Sequence, residues 1–209
     1  MTEPFGPLGT TRYVVNGVPF DMVRVPPGRF LGGTRSHRRE EIVSYPFEIG
    51  INLVSQSLWR AVMGSPCPSR YRGPDRPVEQ ILFRDAQAFL ARLDSLGFPG
   101  FRLPLDLEWG WAARCGASTR YAGGDRAKAV VSAQAKTAPV ATLLPSVVGA
   151  FDLSGNVDEI LNDEPGSVGG LTLDGFHVVR TEEINTVRSS ISSLERSFTV
   201  GMRLVRVRP

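Results

Sequence analysis

The 209-residue chain has few of the side chains from which many catalytic and metal sites are built. It contains 2 cysteines and 2 histidines. Cys67 and Cys115 lie far apart in unrelated contexts, and His37 and His177 are equally isolated. None of these residues has the spacing of a zinc site. We therefore expect free thiols, with a disulfide between the two cysteines left open as the alternative.

Long apolar runs are also missing. No stretch approaches the ~20 apolar residues of a membrane-spanning helix. The opening residues 1–7 lack the basic-then-apolar layout of a signal peptide. We expect no membrane partner, a cytoplasmic location and one globular domain over residues 18–209, preceded by a lead-in and first strand over residues 1–17.

Lysine is scarce, since Lys128 and Lys136 are the only two and arginine supplies the other basic side chains. The formal net charge of +3 is small, and acidic residues are interleaved with the basic ones. This balance gives little support for nucleic-acid binding. Arg203, Arg206 and Arg208 close the chain on a predicted strand, where we expect charged side chains to be solvated.

Local patterns predict several short elements before any tertiary argument. The Asn16-Gly17 dipeptide between residues 13–15 and 20–25 indicates a β-hairpin. The charged run from residue 35 to residue 41 is typical of an exposed loop. The apolar-rich stretch 200–207 predicts one closing strand.

Three helices are predicted between these strands. The first is capped by Ser55 and ends at Gly64, and the others span about residues 84–96 and 106–114. Helices in the first half and strands with long loops in the second half indicate an α+β domain with much irregular structure.

The segment 149–160 combines oxygen donors with residues that permit a sharp turn. Asp152 and Glu159 offer carboxylates, Ser154 and Asn156 offer neutral oxygens, and Gly155 permits unusual backbone angles. Such a composition suits a hard cation. It equally suits a turn that side-chain-to-backbone hydrogen bonds close.

Six blocks of the chain resemble, in order, the motifs of the formylglycine-generating enzyme (sulfatase-modifying factor) family. They comprise residues 20–30 (FDMVRVPPGRF), 53–64 (LVSQSLWRAVMG), 75–79 (DRPVE), 101–114 (FRLPLDLEWGWAAR), 149–160 (GAFDLSGNVDEI) and 200–205 (VGMRLV). The signature tryptophans of the fifth block are replaced by Asp158 and Ile160. The resemblance implies an elaborated C-type-lectin-like fold with two to three helices and short antiparallel strands.

The resemblance also implies a structural calcium ion. Its ligands in this chain would be the side chains of Asp152 and Glu159 and the carbonyls of Gly155 and Val157. Copper is not expected, because the cysteine pair that holds it in the family has no counterpart in residues 179–191. Iron is not expected either, because the related sulfoxide synthases need a histidine cluster. Sugar-binding signatures of lectins are not visible.

A scaffold without the family's redox ligands indicates a non-catalytic module that binds a protein or peptide. Variable proteins of diversity-generating retroelements are such modules, and their ligand-facing side chains precede the closing strand. The matching positions here are Asn185, Thr186, Arg188, Ser189, Ser190, Ser192, Ser193, Arg196, Phe198 and Thr199. A serine-rich surface loop without ligand is the alternative for each position. The rival function is a formylglycine-generating-type oxidase, or a related oxygenase, with a rebuilt active site.

The remaining conspicuous side chains have structural interpretations. Trp59, Trp109 and Trp111 occur among apolar neighbours at helical spacing and are expected in the core. A second set is expected to form a polar network rather than a catalytic pair, and it comprises Arg102, Glu108 and Arg114. His177 lies in a strand-like run and is expected to be structural.

Overall fold

The computed structural model describes residues 9–34, 37–116, 121–124, 136–162, 175–179, 188–192 and 200–207. Its strands are β1 (Thr10–Val15), β2 (Val18–Val25), β3 (Gly28–Thr34), β4 (His37–Val43), β5 (Phe47–Gly50), β6 (Phe101–Arg102), β7 (Asp158–Ile160), β8 (Gly175–Val179), β9 (Arg188–Ser192), β10 (Val200–Gly201) and β11 (Val205–Arg206). Its helices are α1 (Gln56–Met63), α2 (Phe83–Ser95) and α3 (Asp106–Arg114). The predicted α+β class is confirmed.

The described strands form three sheets. The largest has the order β1-β2-β5-β11-β6, the second has the order β10-β7-β8-β9, and β3 pairs with β4 alone. Neighbouring strands are antiparallel except β10 and β7, which run parallel. Two hydrophobic clusters of buried residues fill the space between these sheets and the helices. The first cluster contains Trp59 and Phe89, and the second contains Trp109 and Trp111.

The β1–β2 hairpin forms where the Asn-Gly turn predicts it. Asn16 and Gly17 have φ angles of 47° and 82°, the left-handed pair that a two-residue turn of this kind requires. The expected division between the lead-in and first strand (residues 1–17) and the domain (residues 18–209) falls inside the hairpin. Because β1 pairs along its whole length with β2, it belongs to the same five-stranded sheet as β2.

The helices begin and end at their sequence signals. The Ser55 hydroxyl accepts a hydrogen bond from the Leu58 N–H at 3.1 Å, and Gly64 ends α1 with a φ of 64°. The Trp59 ring stacks on Phe89 at 5.3 Å and joins α1 to α2. In the described part of the chain, no helix has both the length and the apolarity needed to cross a bilayer.

The predicted exposed loop at residues 35–41 is wrong from residue 37 onward, where β4 begins. β4 pairs with β3 from Gly28↔Val43 to Thr34↔His37. One face of this hairpin packs on α3, where the Phe30 ring stacks on Trp111 at 6.0 Å. Arg39 and Glu40 remain exposed on this strand and so keep their hydration, and Glu40 also lies 3.5 Å from Arg29 across the hairpin.

The predicted closing strand 200–207 is broken into two. β10 pairs with β7 in the second sheet, whereas β11 lies between β5 and β6 in the first. Residues 202–204 cross from one sheet to the other. This crossing corrects the expectation for Arg203, which is fully buried rather than solvated.

Candidate functional site

Arg203 lies at the centre of the crossing and bonds to three separate parts of the chain. It donates to both carboxylate oxygens of Glu159 at 2.9 Å each. Its remaining N–H groups reach the carbonyls of Gly50 (2.9 Å), Ile51 (3.2 Å) and Phe151 (2.8 Å). Both charged side chains are fully buried. All five guanidinium donors therefore have acceptors, which is the condition for keeping such a charge inside a protein.

Hydrogen bonds also close the turn that precedes β7. The two carboxylate oxygens of Asp152 accept the backbone N–H groups of Ala141 (2.8 Å) and Leu143 (3.1 Å). Burial raises the pKa of Asp152, and these two backbone donors oppose the rise. The Asn156 amide both accepts from and donates to the backbone of Ala138, at 2.8 and 3.2 Å. The turn is thus tied to residues 138–143.

These contacts test how well the four predicted calcium ligands suit an ion. Every carboxylate oxygen of Asp152 and Glu159 already accepts a protein donor, and the Gly155 carbonyl accepts the Val157 N–H at 2.9 Å. A divalent cation on Glu159 would also lie beside the buried guanidinium of Arg203. These oxygen atoms therefore fit a hydrogen-bonded turn better than a calcium site. Calcium stays a prediction that rests on the sequence resemblance.

The predicted ligand-binding positions are placed only in part. Arg188, Ser189, Ser190 and Ser192 lie on β9, and the other predicted positions fall outside the described residues: Asn185, Thr186, Ser193, Arg196, Phe198 and Thr199. β9 is paired with β8 alone among the described strands, so it forms an edge of the four-stranded sheet.

Strand register places one further position beside β9. Ser190 of β9 pairs with His177 of β8. His177 thus lies in a strand, as predicted from its sequence context.

The cysteines lie apart, in different hydrophobic clusters. Cys67 packs with Trp59 and has its sulfur 2.9 Å from the Ser69 hydroxyl, whereas Cys115 packs with Trp109. Both are free thiols, as predicted. Burial raises the pKa of Cys115 to about 12, so its thiolate is scarce at neutral pH. Within the described ranges, no three His, Cys, Asp or Glu side chains converge into a group that would suit a metal ion.

The predicted polar network beside α3 is confirmed for Arg102 and Glu108. The guanidinium donates to both carboxylate oxygens at 2.6 and 2.7 Å, and Tyr45 adds a hydroxyl donor at 3.0 Å. The hydrogen bonds to Glu108 raise the pKa of Arg102, and burial raises that of Tyr45. The Arg114 guanidinium lies 5.9 Å over the Phe30 ring. These contacts fix α3 in the core.

The three tryptophans are buried as predicted. Gln56 is one of the buried polar side chains that sequence reasoning missed. Its amide donates to the Tyr71 carbonyl at 2.6 Å and accepts the Gly73 N–H at 3.2 Å. The available signal was its position three residues before Trp59, on the apolar stripe of α1.

Comparisons with known proteins agree with this architecture. The family model described as "Sulfatase-modifying factor enzyme 1-like domain" matches residues 15–207. The chain is 26% identical over 196 residues to "Chaperone protein LppX" of Paenibacillus barcinonensis, a match that covers 66% of this chain and 70% of that protein.

Solved structures show the same fold. "Treponema denticola variable protein 1" is 22% identical with a TM-score of 0.80, over 94% of this chain and 98% of that one. PvdO from Pseudomonas aeruginosa is 19% identical with a TM-score of 0.76, over 94% and 97% of the two chains. CarF is 22% identical with a TM-score of 0.72, over 91% and 99%. The elaborated C-type-lectin-like fold is therefore shown, and the chain belongs to the sulfatase-modifying factor enzyme 1-like domain family.

Proposed function

We propose that this chain is a non-catalytic module that binds a protein or peptide, with β9 in its binding face. The placement of the cysteines carries the proposal. The sequence holds only two, and they are buried in different hydrophobic clusters. Two thiolates must converge to hold a soft metal such as Cu(I), and this arrangement keeps them apart.

The position of β9 supports the choice of binding face. An edge strand offers unpaired backbone groups as well as side chains to a partner. Serine and an occasional arginine provide adaptable hydrogen bonding without a large buried area, as paratopes do. Similarity of fold to the Treponema denticola variable protein agrees with this use of the scaffold.

Selection of peptide ligands on the immobilised protein tests the binding proposal. Ligands selected by the wild type are expected to lose affinity for Arg188→Glu and Ser190→Asp, which alter β9. They are expected to bind Arg92→Glu, on the exposed face of α2, as they bind the wild type. Equal binding by all variants would place the binding face elsewhere.

The rival function is a formylglycine-generating-type oxidase, and the family membership favours testing it. Metal analysis of the purified protein is combined with oxygen uptake in the presence of a cysteine-containing sulfatase peptide. Stoichiometric copper together with turnover would replace the binding proposal. We expect neither. A reverse transcriptase gene beside this one, with a near-repeat of its 3′ end, would assign the module to a diversity-generating retroelement.

A further inference from the structure

The outer face of the β3–β4 hairpin carries the two most exposed large hydrophobic side chains of the described residues. Leu31 is 56% exposed and Ile42 is 58% exposed. The inner face of the same hairpin is covered by α3, because Phe30 stacks on the Trp111 ring and a Cβ at Gly28 would overlap that ring. Side chains alternate between the two faces of a strand. Leu31 and Ile42 therefore point away from the core.

Strand register sets these two side chains beside two charges of opposite sign. Arg29 pairs with Ile42, and Leu31 pairs with Glu40. The side chains of Arg29 and Glu40 are 74% and 54% exposed and lie 3.5 Å apart. The aliphatic side chains thus occupy one diagonal of a four-residue square, and the charged side chains occupy the other. We call these four residues the hairpin patch.

The hairpin patch differs from scattered surface hydrophobics. Single exposed aliphatic side chains are normal on protein surfaces. Here two of them share one face of one hairpin, at diagonal positions from which long side chains can reach each other. In the described part of the chain, no third strand joins β3 or β4. Contiguous apolar surface with a polar rim is typical of sites of association.

We propose that the hairpin patch binds a second copy of this chain and forms a weak symmetric dimer. The patch is complementary to itself. A two-fold axis along the Leu31–Ile42 diagonal, midway between two such patches, sets Leu31 against Leu31 and Ile42 against Ile42. The same axis brings Arg29 of one protomer to Glu40 of its partner, and Glu40 to Arg29. A two-fold interface requires this kind of self-complementary surface.

Other arrangements pair the charges badly. A two-fold axis along the charged diagonal would set Arg29 against Arg29 and Glu40 against Glu40, and like charges in contact repel. An axis parallel or perpendicular to the strands would set each charged side chain on an aliphatic one, which removes the charge from water without a partner. A different protein with one sign of charge would leave either Arg29 or Glu40 unpaired. Charge complementarity therefore favours a second copy.

The size of the hairpin limits the strength of the dimer. Its strands have 7 residues each, so the face is about 20 Å long and about 10 Å wide. This is about 200 Å² per protomer, against roughly 800 Å² in a typical stable complex. Association is therefore expected to be reversible and to require a high protein concentration. The hairpin and β9 belong to different sheets, so separate variants test the dimer and the proposed binding face.

Sedimentation equilibrium from micromolar to millimolar concentration tests the proposal. The mean mass of the wild type is expected to rise with concentration. Ile42→Ser is expected to weaken the association about tenfold, because the burial of one large aliphatic side chain contributes roughly that factor. Val14→Ser is the matched control, since Val14 is a strand residue that is 51% exposed and lies outside the hairpin patch. It is expected to associate like the wild type.

Charge reversal tests the two-fold arrangement itself. Arg29→Glu gives the hairpin patch two negative charges, and Glu40→Arg gives it two positive charges. Each variant alone is expected to associate more weakly than the wild type. An equimolar mixture of the two is expected to form heterodimers, because every charge then faces an opposite charge across the axis. The ion pair within one hairpin cannot explain such a recovery, since both variants lack it.

Three results would overturn the proposal. The first is a wild type that stays monomeric at millimolar concentration, which would leave the hairpin patch free or covered by a different partner. The second is a loss of association in Val14→Ser as large as that in Ile42→Ser. The third is a mixture of the charge-reversal variants that associates no better than either variant alone.

Discussion

Replacing Glu159 by glutamine should cost far more stability than replacing an equally well-bonded carboxylate at the surface. Glu159 accepts two hydrogen bonds from Arg203, and neither side chain has measurable solvent exposure. Glu159→Gln keeps the shape but leaves the guanidinium buried without its counter-charge. Breaking one partner of a buried pair typically costs about 3–5 kcal/mol, a large share of the ~5–15 kcal/mol that holds a domain folded.

The Arg12–Asp21 pair offers a matched comparison. Its two hydrogen bonds, at 2.8 and 2.9 Å, have the same bidentate geometry as those of the Glu159–Arg203 pair. The two side chains are 68% and 27% exposed, so solvent screens their charges. Asp21→Asn is therefore expected to leave the free energy of unfolding nearly unchanged. Burial is then the variable that separates the two experiments.

Urea unfolding followed by tryptophan fluorescence measures both variants, because the three tryptophans are buried in the native state. A double-mutant cycle with Arg203→Met and Glu159→Leu isolates the pairwise energy, and the double variant should be less destabilised than the two single losses added together. Arg203→Met alone should remain costly, since it also leaves the Gly50, Ile51 and Phe151 carbonyls without donors. If Glu159→Gln and Asp21→Asn lowered the stability equally, the reasoning from burial would be refuted.

Three further predictions follow from other contacts. Gly28→Ala should destabilise the fold by about 1–3 kcal/mol, because the added Cβ would overlap the Trp111 ring. Gly9→Ala is the control, since a Cβ at Gly9 would have no atom within 4 Å. Urea unfolding compares the two variants. Burial raises the pKa of Glu79 in the folded protein above the ordinary value of 4.5. The folded state therefore holds the Glu79 proton more tightly than the unfolded state does. This contribution to the free energy of unfolding is complete below pH 4.5 and is lost as the pH rises through the raised pKa. Glu79→Gln should thus gain stability relative to the wild type as pH rises from about 4 to 7, and parallel pH profiles would falsify this. EDTA should leave the melting temperature unchanged, because each carboxylate oxygen of Asp152 and Glu159 already accepts an internal donor. A calcium-dependent melting temperature that Glu159→Ala abolishes would instead establish the predicted ion.

Elements with local signals were predictable from the sequence. The hairpin turn depends on two adjacent residues that tolerate positive φ, and α1 depends on a hydroxyl cap and a glycine stop. The third helix has the bounds 106–114 that its pattern predicts. In each case the deciding interactions join residues close in the chain, so a single sequence contains the relevant information.

Features decided by distant residues were not predictable in the same way. β4 is a strand because β3 and α3 pack around it, although its own composition is typical of a loop. Arg203 is buried because acceptors from residues 50, 51, 151 and 159 converge on it. Gly201 marks the same crossing, since a Cβ there would lie 2.7 Å from the Val78 carbonyl. Nothing near Arg203 in the sequence reveals these neighbours.

Residues 202–204, which cross between the two sheets, lie away from β9. This separation makes the proposed binding role compatible with the fold. Arg203 ties both sheets together immediately after β10, and β7 and β8 lie between β10 and β9 in the sheet order. A substitution on β9 therefore acts on an edge strand whose described pairing is to β8 alone, while the buried charges that hold the sheets together stay in place. If β9 binds a partner as proposed, stability and recognition depend on different residues, and substitutions on β9 should alter binding while the Arg203 contacts keep the fold.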